Sequence, residues 1–178
     1  SMKTDLVKQE YLTEGELKEY IYGSADVVGL MCLRVFTRGD DRHYRELVAP
    51  AMRLGSAFQK VNFLRDLKSD TRQLGRSYFP QYNAATFDEQ VKQVLVDDIE
   101  TDFKAALEGI RKLPGDVRPA VMVAYSYYRA LTGKISRTPA SLLVSQRIRV
   151  TDGMKFLLLL RALAASKPGL SSLKPAQQ

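Results

Sequence analysis

The chain has one cysteine and one histidine in 178 residues. Cys32 alone cannot build a disulfide framework, so nothing in the sequence asks for an oxidising compartment, and a reducing, cytoplasmic setting is the expectation. His43, in "DDRHYREL", has no second histidine with which to share a metal and no neighbouring nucleophile to activate; it is assigned no role. Long hydrophobic runs are also missing. "FLLLL" is followed at once by Arg161, well short of the roughly 20 apolar residues of a membrane span, and the first residues do not read as a basic-then-apolar signal. A soluble protein, at most peripheral at a membrane, is expected. There is no convincing run of strand alternation, no internal repeat, no domain linker and no nucleotide-binding glycine fingerprint.

What is present is an ordinary globular balance, 45% hydrophobic and 26% charged, enough for one domain with a core. The net charge of +7 suits nucleic acid, anionic lipid or a phosphorylated substrate alike and does not choose among them. Helical periodicity runs through nearly the whole chain, and the fold class is all-α. Thr13 with Glu16 three residues on forms a capping box, and Gly39 closes the first helix. A second helix is expected from about Arg42 to about Lys68, a loop over "TRQLGRSYFPQYNA", a third helix capped by Thr86, a turn at "PGD" and a fourth helix over "VRPAVMVAYSYYRALTGKI". Pro139 suits the first turn of another helix, Thr151 or Asp152 can cap a last one, and residues 167–178 read as a disordered tail.

Within the second helix, "GSAFQKVNFLRDLKSD" places Gln59, Asn62, Asp66 and Asp70 inside an arc of roughly 80°, with apolar residues on both flanks. Two carboxylates one turn apart repel unless a cation lies between them, and hard oxygen ligands at that spacing suit Mg²⁺ carrying a phosphate. The same spacing also suits a solvated acidic face paired with lysine or arginine.

"YIYGSADVVG", "LGSAFQKVNFLRDLKSD" and "GRSYFP", in that order, resemble the squalene and phytoene synthase family of head-to-head prenyltransferases, with bacterial phytoene synthases the nearest match. The resemblance extends over nearly the whole chain and implies a partial isoprenoid synthase-type helical bundle, residues 1–166 forming the C-terminal portion of such a domain. It implies that two allylic prenyl diphosphates condense through a cyclopropyl intermediate, geranylgeranyl diphosphate to phytoene or farnesyl diphosphate to squalene or dehydrosqualene, with Mg²⁺ assisting ionisation. "NFLRDLKSD" corresponds to the second of the family's two aspartate-rich motifs, so Asp66 and Asp70 inherit the metal-ligand role, and Gln59 and Asn62 would position the metal–diphosphate cluster.

Arg65 and Arg76 are candidates for the diphosphate oxygens, the alternative being an ion pair with a nearby acid. Tyr20 and Tyr127 match tyrosines that face the family's cavity; without the resemblance they read as core tyrosines. Arg147 matches a family arginine near the diphosphates and is preferred to Arg149. The small residues Gly23, Ser24, Ala25 and Gly29 weaken a helix and call for close packing or, by the resemblance, a wall of the prenyl cavity, with Val27, Val28, Leu54 and Phe58 beside them. The family's earlier aspartate-rich motif and its arginine-containing capping segment are not in these 178 residues, so this portion alone is expected to be inactive and to leave faces open for oligomerisation. A noncatalytic homologue acting as a scaffold is the alternative. Prenyl diphosphates are the expected partners, and nucleic acid is not.

Overall fold

A computed structural model of the chain describes residues 13–73 and 86–148. The described residues are helical and contain no strand: α1 (Glu14–Ile21), a π-helical turn (Tyr22–Asp26), α2 (Val27–Phe36), α3 (Asp41–Gln73), α4 (Glu89–Lys112), α5 (Arg118–Arg137) and α6 (Ala140–Ser145). The expected all-α architecture is what is found. The expected loop begins at Thr71, but α3 continues through Gln73, five residues past the expected end at Lys68; the rest of that segment, the cap at Thr151 or Asp152, and the tail lie outside the described residues.

Local chemistry accounts for most boundaries. Thr13 and Glu16 form the capping box, each satisfying the other's backbone N–H. Arg38 and Gly39 take positive φ and turn the chain from α2 into α3, whose first turn is tied down by Asp40 accepting from the His43 N–H at 2.9 Å. Three expectations shift. The first helix is interrupted by the π-turn. The cap of α4 is Asp88, which accepts from the Val91 N–H at 2.9 Å, and Thr86 lies two residues too early to do this. Pro139 is extended and precedes α6 as its cap residue, outside the first turn.

α3 is the axis of the molecule. It packs most extensively on α4, and also meets α2, the π-turn, α5 and α6. Its Ala57, Val61 and Leu64, fully buried, pack with Ile99 and Phe103 of α4, Leu131 and Ile135 of α5 and Leu143 of α6. A second cluster joins Leu33 and Leu47 to Ile110 and Leu113, and Leu54 touches both. Pro50, inside α3, is accommodated because α4 offers Gly109, where a Cβ would overlap the proline ring.

Polar groups are also buried in the α3 interface. Lys60 Nζ donates to Asp98 at 2.5 Å and to Asp102 at 2.7 Å, and Arg53 reaches Asp102 at 2.9 Å. Burial works against the Lys60 charge, but the two carboxylates outweigh it and hold its pKa above the usual lysine value. Asp26, in the π-turn, accepts from the Ser56 hydroxyl at 2.9 Å, and burial pushes its carboxyl pKa up.

Candidate functional site

Two features lie end to end along α3. The first is an apolar cavity of about 440 Å³ between α2, α3, α4 and α5. Val28, Leu54 and Phe58 line it as expected; Val27 does not. Gly29 contributes to its wall and also allows close approach, since a Cβ there would sit 3.1 Å from the Ala51 carbonyl oxygen. At Gly29 close packing and a place in the cavity wall therefore go together.

The second feature is polar and begins one turn further along. Phe58, at the cavity wall, stacks on Tyr128 with ring centroids 4.0 Å apart, and the Tyr128 hydroxyl donates to Asn62 Oδ1 at 3.2 Å. Another turn on, Asp66 accepts from Arg65 Nη2 at 2.5 Å and Nε at 3.1 Å, while Arg147 Nε reaches its other oxygen at 2.6 Å. The Asp66 side chain is 19% exposed, so this carboxylate is not a solvated face even though its partners are arginines. The hydrogen bonds to Asp66 are the largest influence on Arg65 and hold its guanidinium pKa above the usual value.

Arg147 comes from a distant element. It follows α6, which is pinned to α4 twice: Glu89 accepts from the Ala140 N–H at 2.6 Å, and the buried Lys92 ammonium donates to the Thr138 carbonyl at 2.7 Å. Ile148, buried, anchors the other side.

The sequence candidates are thus distributed as follows. Asn62, Arg65, Asp66 and Arg147 converge. Tyr127 packs edge-on against Tyr128 at 5.4 Å, and Tyr20 stacks on Phe63, the neighbour of Asn62, at 6.0 Å. Gln59 is half-buried on the same helix. Asp70 stands on α3 one turn beyond Asp66, and Arg76 lies outside the described residues. The residue that sequence reasoning missed is Tyr128. Its neighbour Tyr127 was chosen, but Tyr128 carries the hydrogen bond to the stripe and the stack at the cavity wall.

Among the described residues, no group of three or more Asp, Glu, His or Cys side chains is arranged to hold a metal ion. The donors that are described, the Asp66 carboxylate and the Asn62 amide oxygen, are hard oxygens one turn apart. They are of the oxygen type that Mg²⁺ takes and would be at most part of such a set. Among the described residues, no helix is long and apolar enough to cross a membrane.

The squalene/phytoene synthase family model matches residues 1–153. The chain belongs to this family. It is 32% identical over 161 residues to a phytoene synthase from Arthrospira platensis, covering 76% of this chain and 51% of that protein. To a phytoene synthase from Pseudescherichia vulneris it is 28% identical over 174 residues, covering 89% and 54%. A solved dehydrosqualene synthase with bound ligand superposes with a TM-score of 0.76 at 25% identity, over 92% of this chain and 61% of that one. A squalene synthase from Alicyclobacillus acidocaldarius, at 23% identity and a TM-score of 0.64, shares the fold. The chain spans about half the length of these two phytoene synthases.

Proposed function

We propose that this chain is the C-terminal portion of a head-to-head prenyltransferase that joins two allylic prenyl diphosphates, geranylgeranyl diphosphate to phytoene or farnesyl diphosphate to squalene or dehydrosqualene. The observation that carries the reading is the joined pair of features on α3. Phe58 of the apolar cavity's wall stacks on Tyr128, which bonds Asn62, and one turn further along α3 stand Asp66 and its two arginines. A hydrocarbon tail with a diphosphate head has that same division.

In this reading Arg65 and Arg147 take diphosphate oxygens, since a guanidinium donates two parallel bonds, and Arg76 is a further candidate. Asp66 and Asp70 hold Mg²⁺, with Gln59 and Asn62 orienting the cluster; the metal supplies charge neutralisation for the departing diphosphate. Tyr128 and Tyr127 offer phenol donors and π faces beside the carbon that becomes cationic, and Tyr20 lines the same wall. The apolar cavity excludes water from that carbon. The exposed apolar side chains of α2, Val28, Met31 and Val35, form the face that packs against the remaining helices of the family fold. The setting is cytoplasmic, with apolar substrates delivered at a membrane surface.

In a polypeptide carrying this chain within a complete family domain, Asp66→Asn should slow turnover of geranylgeranyl or farnesyl diphosphate by roughly a hundredfold or more, because a hard cation depends on anionic oxygen. Prenyl-tail binding, measured with a non-ionising thiodiphosphate analogue, should survive. Wild-type turnover would remove the metal role. It would bring forward the scaffold reading, which the pairing of Asp66 with two arginines favours.

A further inference from the structure

Both oxygens of Asp66 are engaged by cations. Arg65 donates to Oδ2 through two nitrogens, at 2.5 and 3.1 Å, and Arg147 Nε makes an ion pair with Oδ1 at 2.6 Å, without a fork. These three described side chains sum to a single positive charge. A divalent cation approaching Asp66 must therefore displace a guanidinium and then remain beside two of them. A diphosphate meets the opposite situation. It can accept from Arg65 the forked hydrogen bonds that the carboxylate now receives, and from Arg147 a fork the carboxylate does not receive, and it brings more negative charge to both.

The freedom to exchange is unequal. Arg65 is four-fifths buried beside Asp66 on α3, whereas the Arg147 side chain is 48% exposed. The backbone leading to Arg147 is fixed by the Glu89 and Lys92 contacts and by Ile148, so its side chain can turn without loss of its anchor.

We propose that Arg65 and Arg147 act as exchange residues, neutralising Asp66 until a diphosphate arrives and then moving to it, which releases the Asp66 oxygens to the accompanying divalent cation. The inference rests on the prenyl diphosphate reading and adds an order to it: the metal alone is held off, and metal and diphosphate enter together. Thermodynamically this is positive coupling, so each ligand must strengthen the other by the same factor.

The test uses the isotope-labelled 178-residue chain, following the side-chain Nε–H signals of Arg65 and Arg147 by NMR. Titrants are MgCl₂ alone, inorganic pyrophosphate alone, and the two together, with the Mg²⁺–pyrophosphate complex formed in solution accounted for. Mg²⁺ alone should leave both signals unmoved at concentrations where Mg²⁺ with pyrophosphate shifts them, with at least tenfold coupling. Arg147→Gln should bind Mg²⁺ alone several-fold more tightly than wild type, bind pyrophosphate several-fold more weakly, and lose most of the coupling. Arg147→Lys, which keeps the charge without the fork, should fall between. If pyrophosphate and Mg²⁺ both bind but independently, or if Arg147→Gln keeps the full coupling, the exchange is overturned while the diphosphate site stands. A chain that binds no pyrophosphate with Mg²⁺ overturns the site reading and the exchange together.

Discussion

Replacing Gly55 by alanine and Gly133 by alanine should change stability in opposite directions, although both glycines are inside helices. Alanine gains about 1 kcal/mol over glycine from helix propensity alone. At Gly133 nothing opposes the gain, since a Cβ would meet only the Arg137 guanidinium, at 3.7 and 3.9 Å, an ordinary contact with a flexible group. At Gly55 the Cβ would stand 2.9 Å from the Ala25 carbonyl oxygen and 3.0 Å from the Ala25 carbonyl carbon and Asp26 Cα. Those are backbone atoms of the π-turn and cannot swing aside, so the overpacking cost of about 1–3 kcal/mol falls in the upper part of its range. Gly55→Ala should thus lose roughly 1–2 kcal/mol net, and Gly133→Ala should gain about 1. In a chain of this size the two variants should melt roughly 5–10 °C apart. Urea unfolding followed by far-UV circular dichroism measures both, with an unchanged denaturant slope confirming that the folded state is comparable. A Gly55→Ala chain as stable as wild type would show that α3 and the π-turn are not in the contact described.

The remaining expectations concern charge and space. The raised folded pKa of Asp26, caused mainly by burial, with Asp102 adding to it and Ser56, Lys60 and Arg53 opposing, means the fold binds this proton more tightly than the unfolded chain does. Its stabilising contribution is complete below the ordinary aspartate pKa and is lost as pH rises through the raised value. Asp26→Asn should therefore stabilise by about 1 kcal/mol at neutral pH, with the gain vanishing below about pH 4; urea titrations across that range would expose a wrong sign as a loss at neutral pH. Ala124→Phe, which projects into the apolar cavity, should weaken binding of a geranylgeranyl thiodiphosphate about tenfold by calorimetry without lowering the melting temperature. Unchanged affinity would place the tail elsewhere.

The helices were legible because their signals are local. Periodicity, the Thr13–Glu16 pair and the Gly39 stop all act within a few residues. The polar stripe on α3 was legible for the same reason. Other features depend on partners far along the chain. The Arg147–Asp66 pair joins residues whose sequence gives no sign of one another, and it forms only because Glu89 and Lys92 fix the entry to α6. Tyr127 and Tyr128 are adjacent on a helix and differ by about 100° in direction, so composition cannot say which faces Asn62. Lys60 and Arg53 have no nearby acid to announce their pairing, yet both meet Asp102, almost wholly buried and forty or more residues on. The π-turn had no signature, since Asp26 is held there by Ser56, thirty residues on.

That turn sets the phase of the N-terminal rod. Ile21, Gly29 and Leu33 all face the body of the protein. On an uninterrupted α-helix, at about 100° per residue, Gly29 and Leu33 would sit roughly 80° and 120° around from Ile21. A turn bonded from i to i+5 absorbs about one residue, or ~100°, which brings both to within roughly 20° of it. The rod therefore carries one surplus residue, stored where Asp26 can anchor it. Excising a single residue there would let the segment relax into regular helix with the same faces inward, whereas straightening the turn with the residue kept would swing Leu17, Tyr20 and Ile21 by about 100° relative to Gly29 and Leu33. A length difference of one, silent in composition and in hydropathy, is thus hidden by the turn from a packing that would otherwise read it as a quarter-turn of a whole helix.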